Sequence, residues 1–253
     1  VSVSEMIIGD LFDEKIDILS RRSKMQEVLD RENLVVFAET NVVQDVVEGI
    51  TSMAQANGMA GLQSNTILLG WPKERKLLVE FLRIMRRLEK LKKSLVIARI
   101  QPRYLFPREG IQRTIHVWWG GLQRNGDLMI LLGYLLTRNR EWENVKIKIM
   151  SIASSEIMKT KTEKYLAALI PEIRIAAEPR VIMKPKDLTV REVIHQESSE
   201  ADVVFFGLAT LKPGEEVDYA QRLDYLAGDL PTVFFVKNSS LFMGELLQPK
   251  DIE

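Results

Sequence analysis

The sequence predicts an α/β fold in two halves, each a mostly parallel sheet with helices on both faces. Three observations carry the prediction. Short runs rich in Val, Ile and Phe alternate with longer stretches of helical spacing, as strands joined by crossover helices require. Nearly all the short runs are apolar at consecutive positions, which marks strands covered on both sides. A pattern also recurs: TILLGWP, a helix and SLVIARIQ in the first part, then DVVFFGLAT, a helix and TVFFVKNSS in the second.

Along the chain, strands are expected at residues 3–8, 34–38, 66–70, 95–100, 115–119, 145–152, 180–183, 203–208 and 232–236. Helices are expected at 15–30, 42–57, 73–93, 127–137, 155–169, 189–198 and 217–227. Gly58 is a candidate C-cap for the second helix. Pro102, Pro107 and Gly110 interrupt the pattern and set a boundary between a first subdomain, 1–110, and a second, 111–253. The second half holds five expected strands and the first only four. The opening Val-Ser-Val-Ser is already patterned as a strand and has no initiator Met. The first half is therefore expected to lack its first strand and helix, lost with a longer N-terminus.

Composition excludes several function classes. With 253 residues and 46% hydrophobic content a sizeable core is available. The 35 basic residues cancel the 35 acidic ones, so no global field steers the chain to nucleic acid. No Cys is present, which removes disulfides and thiolate metal sites. His116 and His195 are the two histidines, too few for most zinc centres. No apolar run approaches the roughly 18 residues needed to span a bilayer.

The stretch from Thr114 to Arg138 reads as strand, glycine-rich turn and apolar helix, a layout that often cradles phosphate. Gly121 and Gly126 have the spacing of a Walker A loop, but Asp127 and Leu128 stand where Lys and Ser/Thr are needed. Asp127 there repels a phosphate and instead suits a helix N-terminus as a cap. Trp118 and Trp119, adjacent on a strand, should face opposite sides of the sheet as core residues. His116 shares the Trp118 face and reads as a core imidazole, while His195 is expected to be solvated. Ser151, Ser154 and Ser155 are nominal nucleophiles, but no G-x-S-x-G elbow presents one. No catalytic, cofactor-binding or metal-ligating residue is therefore assigned.

The segment from Lys73 to Lys93 carries nine basic and three acidic residues, with Leu77, Phe81, Met85 and Leu88 forming an apolar stripe. It reads as a crossover helix whose charged outer side is available to an anionic membrane surface. Val43, Val46, Val47, Ile50 and Met53 give the preceding helix core spacing.

Three segments in order resemble the cytosolic C-terminal region of cation-chloride cotransporters, within the amino acid–polyamine–organocation superfamily. They are TIHVWWGGLQRNGDLMILLGYLLTRNREWENVKIKIMSI, then VVQDVVEGITSMAQANGMAGLQSNTILLGWP, and DLTVREVIHQESSEADVVFFGLA with YAQRLDYLAGDLPTVFFVKNS. The first has paired aromatics ending a strand, a glycine loop, an apolar helix and a basic stretch with Arg138, Arg140 and Trp142. The resemblance implies a soluble, non-catalytic regulatory domain on the cytoplasmic side of the cell membrane, attached to its own transmembrane transport domain. It also implies two Rossmann-like halves similar to universal stress proteins, a homodimer, and no cofactor. Long charged insertions of larger relatives are missing, so the resemblance is to the prokaryotic type. Similarity to universal stress proteins raises an alternative, a nucleotide-binding sensor module. The places to find its glycine series are Gly70-Trp71-Pro72-Lys73-Glu74 and the run from Gly207 to Gly214, and neither has it.

Overall fold

The computed structural model describes residues 1–56, 64–101, 112–120 and 123–239. Gly58, Pro102, Pro107, Gly110 and Gly121 lie outside them. The described residues form β1 (Ser2–Ile8), α1 (Ile18–Arg31), β2 (Phe37–Val43), α2 (Val46–Ala56), β3 (Thr66–Gly70), α3 (Arg75–Lys90) and β4 (Ser94–Arg99). There follow β5 (Thr114–Trp118), α4 (Gln123–Thr137), β6 (Lys146–Ala153), α5 (Glu156–Ile173), β7 (Ala177–Met183), α6 (Val190–Ser198), β8 (Val203–Gly207), α7 (Glu216–Ala227) and β9 (Thr232–Lys237).

Seven strands make one sheet in the order β3-β4-β9-β8-β5-β6-β7, and β1 and β2 pair in parallel as a sheet of their own. All neighbours in the large sheet run parallel except β4 and β9, where Leu95 faces Lys237 and Arg99 faces Val233. This antiparallel seam joins strands from either side of the expected 110/111 boundary. The internal repeat is plain in the element order, with β1-α1-β2-α2-β3-α3-β4 matching β6-α5-β7-α6-β8-α7-β9. In the second half β5 lies between β8 and β6; among the described residues no strand holds the equivalent place beside β3.

Alternation along the strands divides the core. Leu95 and Ile97 of β4, Trp118 of β5, Phe206 of β8 and Phe235 of β9 pack under α2, α3, α6 and α7. Val96, Val117, Phe205 and Val236 point the other way and pack with α4 and α5. Leu68 of β3 aligns with Val96, on this second side, and is 64% exposed. Of the expected stripe on α3, Phe81, Met85 and Leu88 are buried and Leu77 is partly buried, and Leu78 and Leu82 join them in the core, so the buried face is wider than the stripe.

Local chemistry moved several boundaries. β2 starts three residues later than expected and continues through the β-branched Val42 and Val43, because the Asp45 carboxylate caps the Glu48 amide and delays α2 to Val46. α4 begins at Gln123, four residues before Asp127. Asp127 is therefore inside the helix and buried at 6% exposure, a correction to its expected capping role. Ser155 caps α5 by accepting the Met158 amide, and Thr189 and Glu192 make a capping box at α6.

Candidate functional site

In an open parallel sheet, ligands bind beyond the carboxyl ends of the strands where the strand order reverses. Here that point lies between β5 and β8, whose following helices α4 and α7 connect in opposite directions. A cleft of about 460 Å³ opens there. Trp118, Trp119 and Gly120 form its floor with Phe206 and Gly207, while Ile152 and Ser154 come from β6 and its end. Met129, Met158, Ile194 and Leu226 wall it from four helices, and Lys184 stands just after β7.

Most polar groups in this wall are already engaged. Trp118 Nε1 donates to Ser198 Oγ at 3.0 Å, and the same hydroxyl lies 3.0 Å from His116 Nδ1. Asn125 Nδ2 donates to the Leu208 carbonyl and its Oδ1 accepts the Asn238 amide. Lys184 Nζ donates to the Pro185 carbonyl at 3.2 Å. It lies in no ion pair among the described residues.

The two tryptophans behave as the strand period requires. Trp118 is 6% and Trp119 8% exposed, in the two different core clusters. A Cβ at Gly126 would overlap the Trp119 ring, so this glycine serves ring packing against α4 rather than a phosphate loop. His116 is buried at 3% exposure; burial first, and then the Lys148 charge, lower it from 6.5 to about 4, so it is a neutral core imidazole. Asp127, also buried, has no hydrogen-bond partner for Oδ1, and burial raises it to about 7. His195 departs from expectation: it is half-buried, and its Nε2 bonds the Leu226 carbonyl at 2.8 Å. The nominal nucleophiles have structural duties. Ser151 donates to the Trp119 carbonyl, Ser154 contacts Met158 Sδ, and Ser155 caps α5.

The loop after β8 is where a phosphate would be cradled by backbone amides. Several of its amides are taken by the chain itself. Ala209 N donates to Tyr219 Oη, Lys212 N to Glu215 Oε2 and Gly214 N to Glu216 Oε2. Glu216 is 3% exposed and pairs with Arg86 of α3 at 2.6 Å. Burial alone would raise its carboxyl, but its own amide, that of Gly214 and the Arg86 charge hold it below the usual range. An internal carboxylate thus occupies the anion position. Sequence reasoning found the missing glycines here but not Glu216, whose signal was an acidic residue two positions after a glycine at a helix start.

The basic helix α3 is likewise turned inward electrostatically. Arg75 pairs with Asp224, Arg83 with Glu80, Arg86 with Glu216 and Arg87 with Glu48. Lys93 donates to the Ser64 carbonyl. Three arginines of α3, Arg75, Arg86 and Arg87, are thus paired with carboxylates outside the helix. Among the described residues no helix is long and apolar enough to cross a membrane, and no cluster of metal-binding side chains is present.

Comparison with known proteins adds to this geometry. Residues 80–186 match the family model of solute carrier family 12. The matched span runs from within α3 to just beyond β7 and so includes the segment with Trp118, Trp119 and Arg140 read as cotransporter-like. The cytoplasmic domain of a prokaryotic cation chloride cotransporter is similar in fold, with TM-score 0.63 and 19% identity over 96% of this chain and 86% of that one. A protein assigned to the universal stress proteins, from Pseudomonas aeruginosa UCBPP-PA14, has TM-score 0.56 and 11% identity over 92% of this chain and 82% of its own. A functionally unknown protein from Pseudomonas aeruginosa PAO1 gives 0.57 and 11%, over 94% and 83%. At these identities the structures establish the fold: an α/β sheet of universal-stress-protein type, shared with a cotransporter's cytoplasmic domain.

Proposed function

We propose that the chain is the cytosolic domain of a cation-chloride cotransporter of the Na/K/Cl type, held on the cytoplasmic side of the cell membrane by its own transmembrane transport domain. In this reading it pairs with a second copy, regulates transport and catalyses no reaction. The solute carrier family 12 match over residues 80–186 is the observation that carries it. The side chains agree, since each nominal nucleophile and both histidines are committed to packing, capping or backbone hydrogen bonds. The division into halves at residues 110/111 belongs to the same proposal, with the β4–β9 seam and the Arg86–Glu216 pair linking them into one relay.

Reading the coding sequence upstream of Val1 tests the assignment. Roughly ten to twelve apolar segments of about 20 residues are expected; a short upstream region without them refutes it. Sedimentation equilibrium tests pairing, and a monomer at high micromolar concentration rejects that part. Flux of labelled chloride through the whole transporter, with and without residues 1–253, tests regulation, and equal flux rejects it. The alternative of a nucleotide sensor draws on the same fold, but the amides that would hold its phosphates are those engaged by Glu215, Glu216 and Tyr219.

A further inference from the structure

The cleft between β5 and β8 has an unusual balance. Its interior is apolar, with two tryptophans, Phe206, Ile152, Ile194 and Leu226 around about 460 Å³. That is within the range of small-molecule sites, on the order of 300–1,000 Å³. Among the described residues, Lys184 is the charged residue of its lining, and no carboxylate lines the cleft with it. The nearby Glu192 is held by the Thr189 amide and hydroxyl, both at 2.7 Å. The wall's other polar side chains are largely satisfied internally, so the interior asks for carbon and the mouth for one negative charge.

From this we infer that the cleft binds an amphipathic organic monoanion, a carboxylate on an apolar body, with the carboxylate on Lys184 and the body against Trp118, Trp119 and Phe206. The inference goes beyond the cotransporter reading and does not depend on it. A polyphosphate fits worse, since it would need several amides or cations where the cleft, among the described residues, offers one lysine. Met158 and Val190, each 49% exposed, frame the mouth, so an acyl chain entering there covers apolar surface now facing water.

Calorimetry and tryptophan emission with decanoate, 1-decanol and ATP test this on the folded chain. Saturable decanoate binding with a change in emission is expected. Lys184→Gln should weaken decanoate about tenfold while leaving decanol unchanged, since a charge-assisted hydrogen bond is worth that much. Val190→Asp, at the first position of α6 where an acidic residue suits the helix, should also weaken decanoate by placing a like charge at the mouth. Absence of decanoate binding at millimolar concentration overturns the inference. So does equal binding of decanoate to the wild type and Lys184→Gln, which would leave a plain apolar groove. ATP competing with decanoate for the cleft would overturn it in favour of a nucleotide site.

Discussion

Replacing Asp127 by Asn should expose two proton linkages that oppose each other in the native protein. Burial raises Asp127 from 3.8 to about 7, so the stability it contributes is fully present below 3.8 and is lost as pH rises through 7. His116 is lowered from 6.5 to about 4, so its contribution is present above 6.5 and is lost as pH falls through 4. At about 1.4 kcal/mol per pH unit, the first amounts to roughly 4 kcal/mol and the second to roughly 3 kcal/mol. Between pH 4 and 6.5 the folded state keeps one proton that the unfolded chain releases and lacks one that it binds. The two slopes cancel there. Urea denaturation across this interval should therefore show Asp127→Asn gaining about 3 kcal/mol with rising pH relative to the wild type, as His116 alone remains. His116→Gln should show the reverse slope. Other carboxylates are common to all three proteins and drop out of the differences. If the stability curve of Asp127→Asn runs parallel to that of the wild type, Asp127 is not carrying a proton in the folded state and the reasoning fails.

Other expectations follow from the packing. Gly126→Ala should cost about 1–3 kcal/mol in denaturant and shift tryptophan emission, because the new methyl displaces the Trp119 ring. Arg86→Met leaves the buried Glu216 carboxylate without its cation and should cost about 3 kcal/mol at neutral pH. That deficit should shrink as acid protonates Glu216, whose carboxyl Arg86 helps hold low. Ser198→Ala strands Trp118 Nε1 and His116 Nδ1 and should cost about 1–3 kcal/mol, with the Trp118 indole N–H resonance moving.

The sheet was legible in the sequence because buried parallel strands write themselves as unbroken runs such as LVIA and VVFF, and nine runs became nine strands among the described residues. Boundaries slipped where one polar contact outweighed periodicity, as when Asp45 claimed the Glu48 amide and β2 took over Val42 and Val43. Asp127 was misplaced for a related reason, since a carboxylate near a predicted helix start reads as a cap until the helix proves to begin a turn earlier. The cleft was not legible. Its lining comes from four strand ends and four helices, and Lys184 meets the tryptophans only through the strand order. The Arg86–Glu216 pair, 130 positions apart by their numbers, was hidden for the same reason.

The β4–β9 seam gives the molecule a mechanical character. One core cluster draws on α2 and α3 as well as on α6, α7 and β9, so neither side of the seam owns the layer that covers it. Pulling the sides apart would break a full antiparallel ladder broadside while exposing that layer to water at once. The seven strands therefore share one continuous ladder, so separating the two sides costs the seam's hydrogen bonds and the shared apolar layer together.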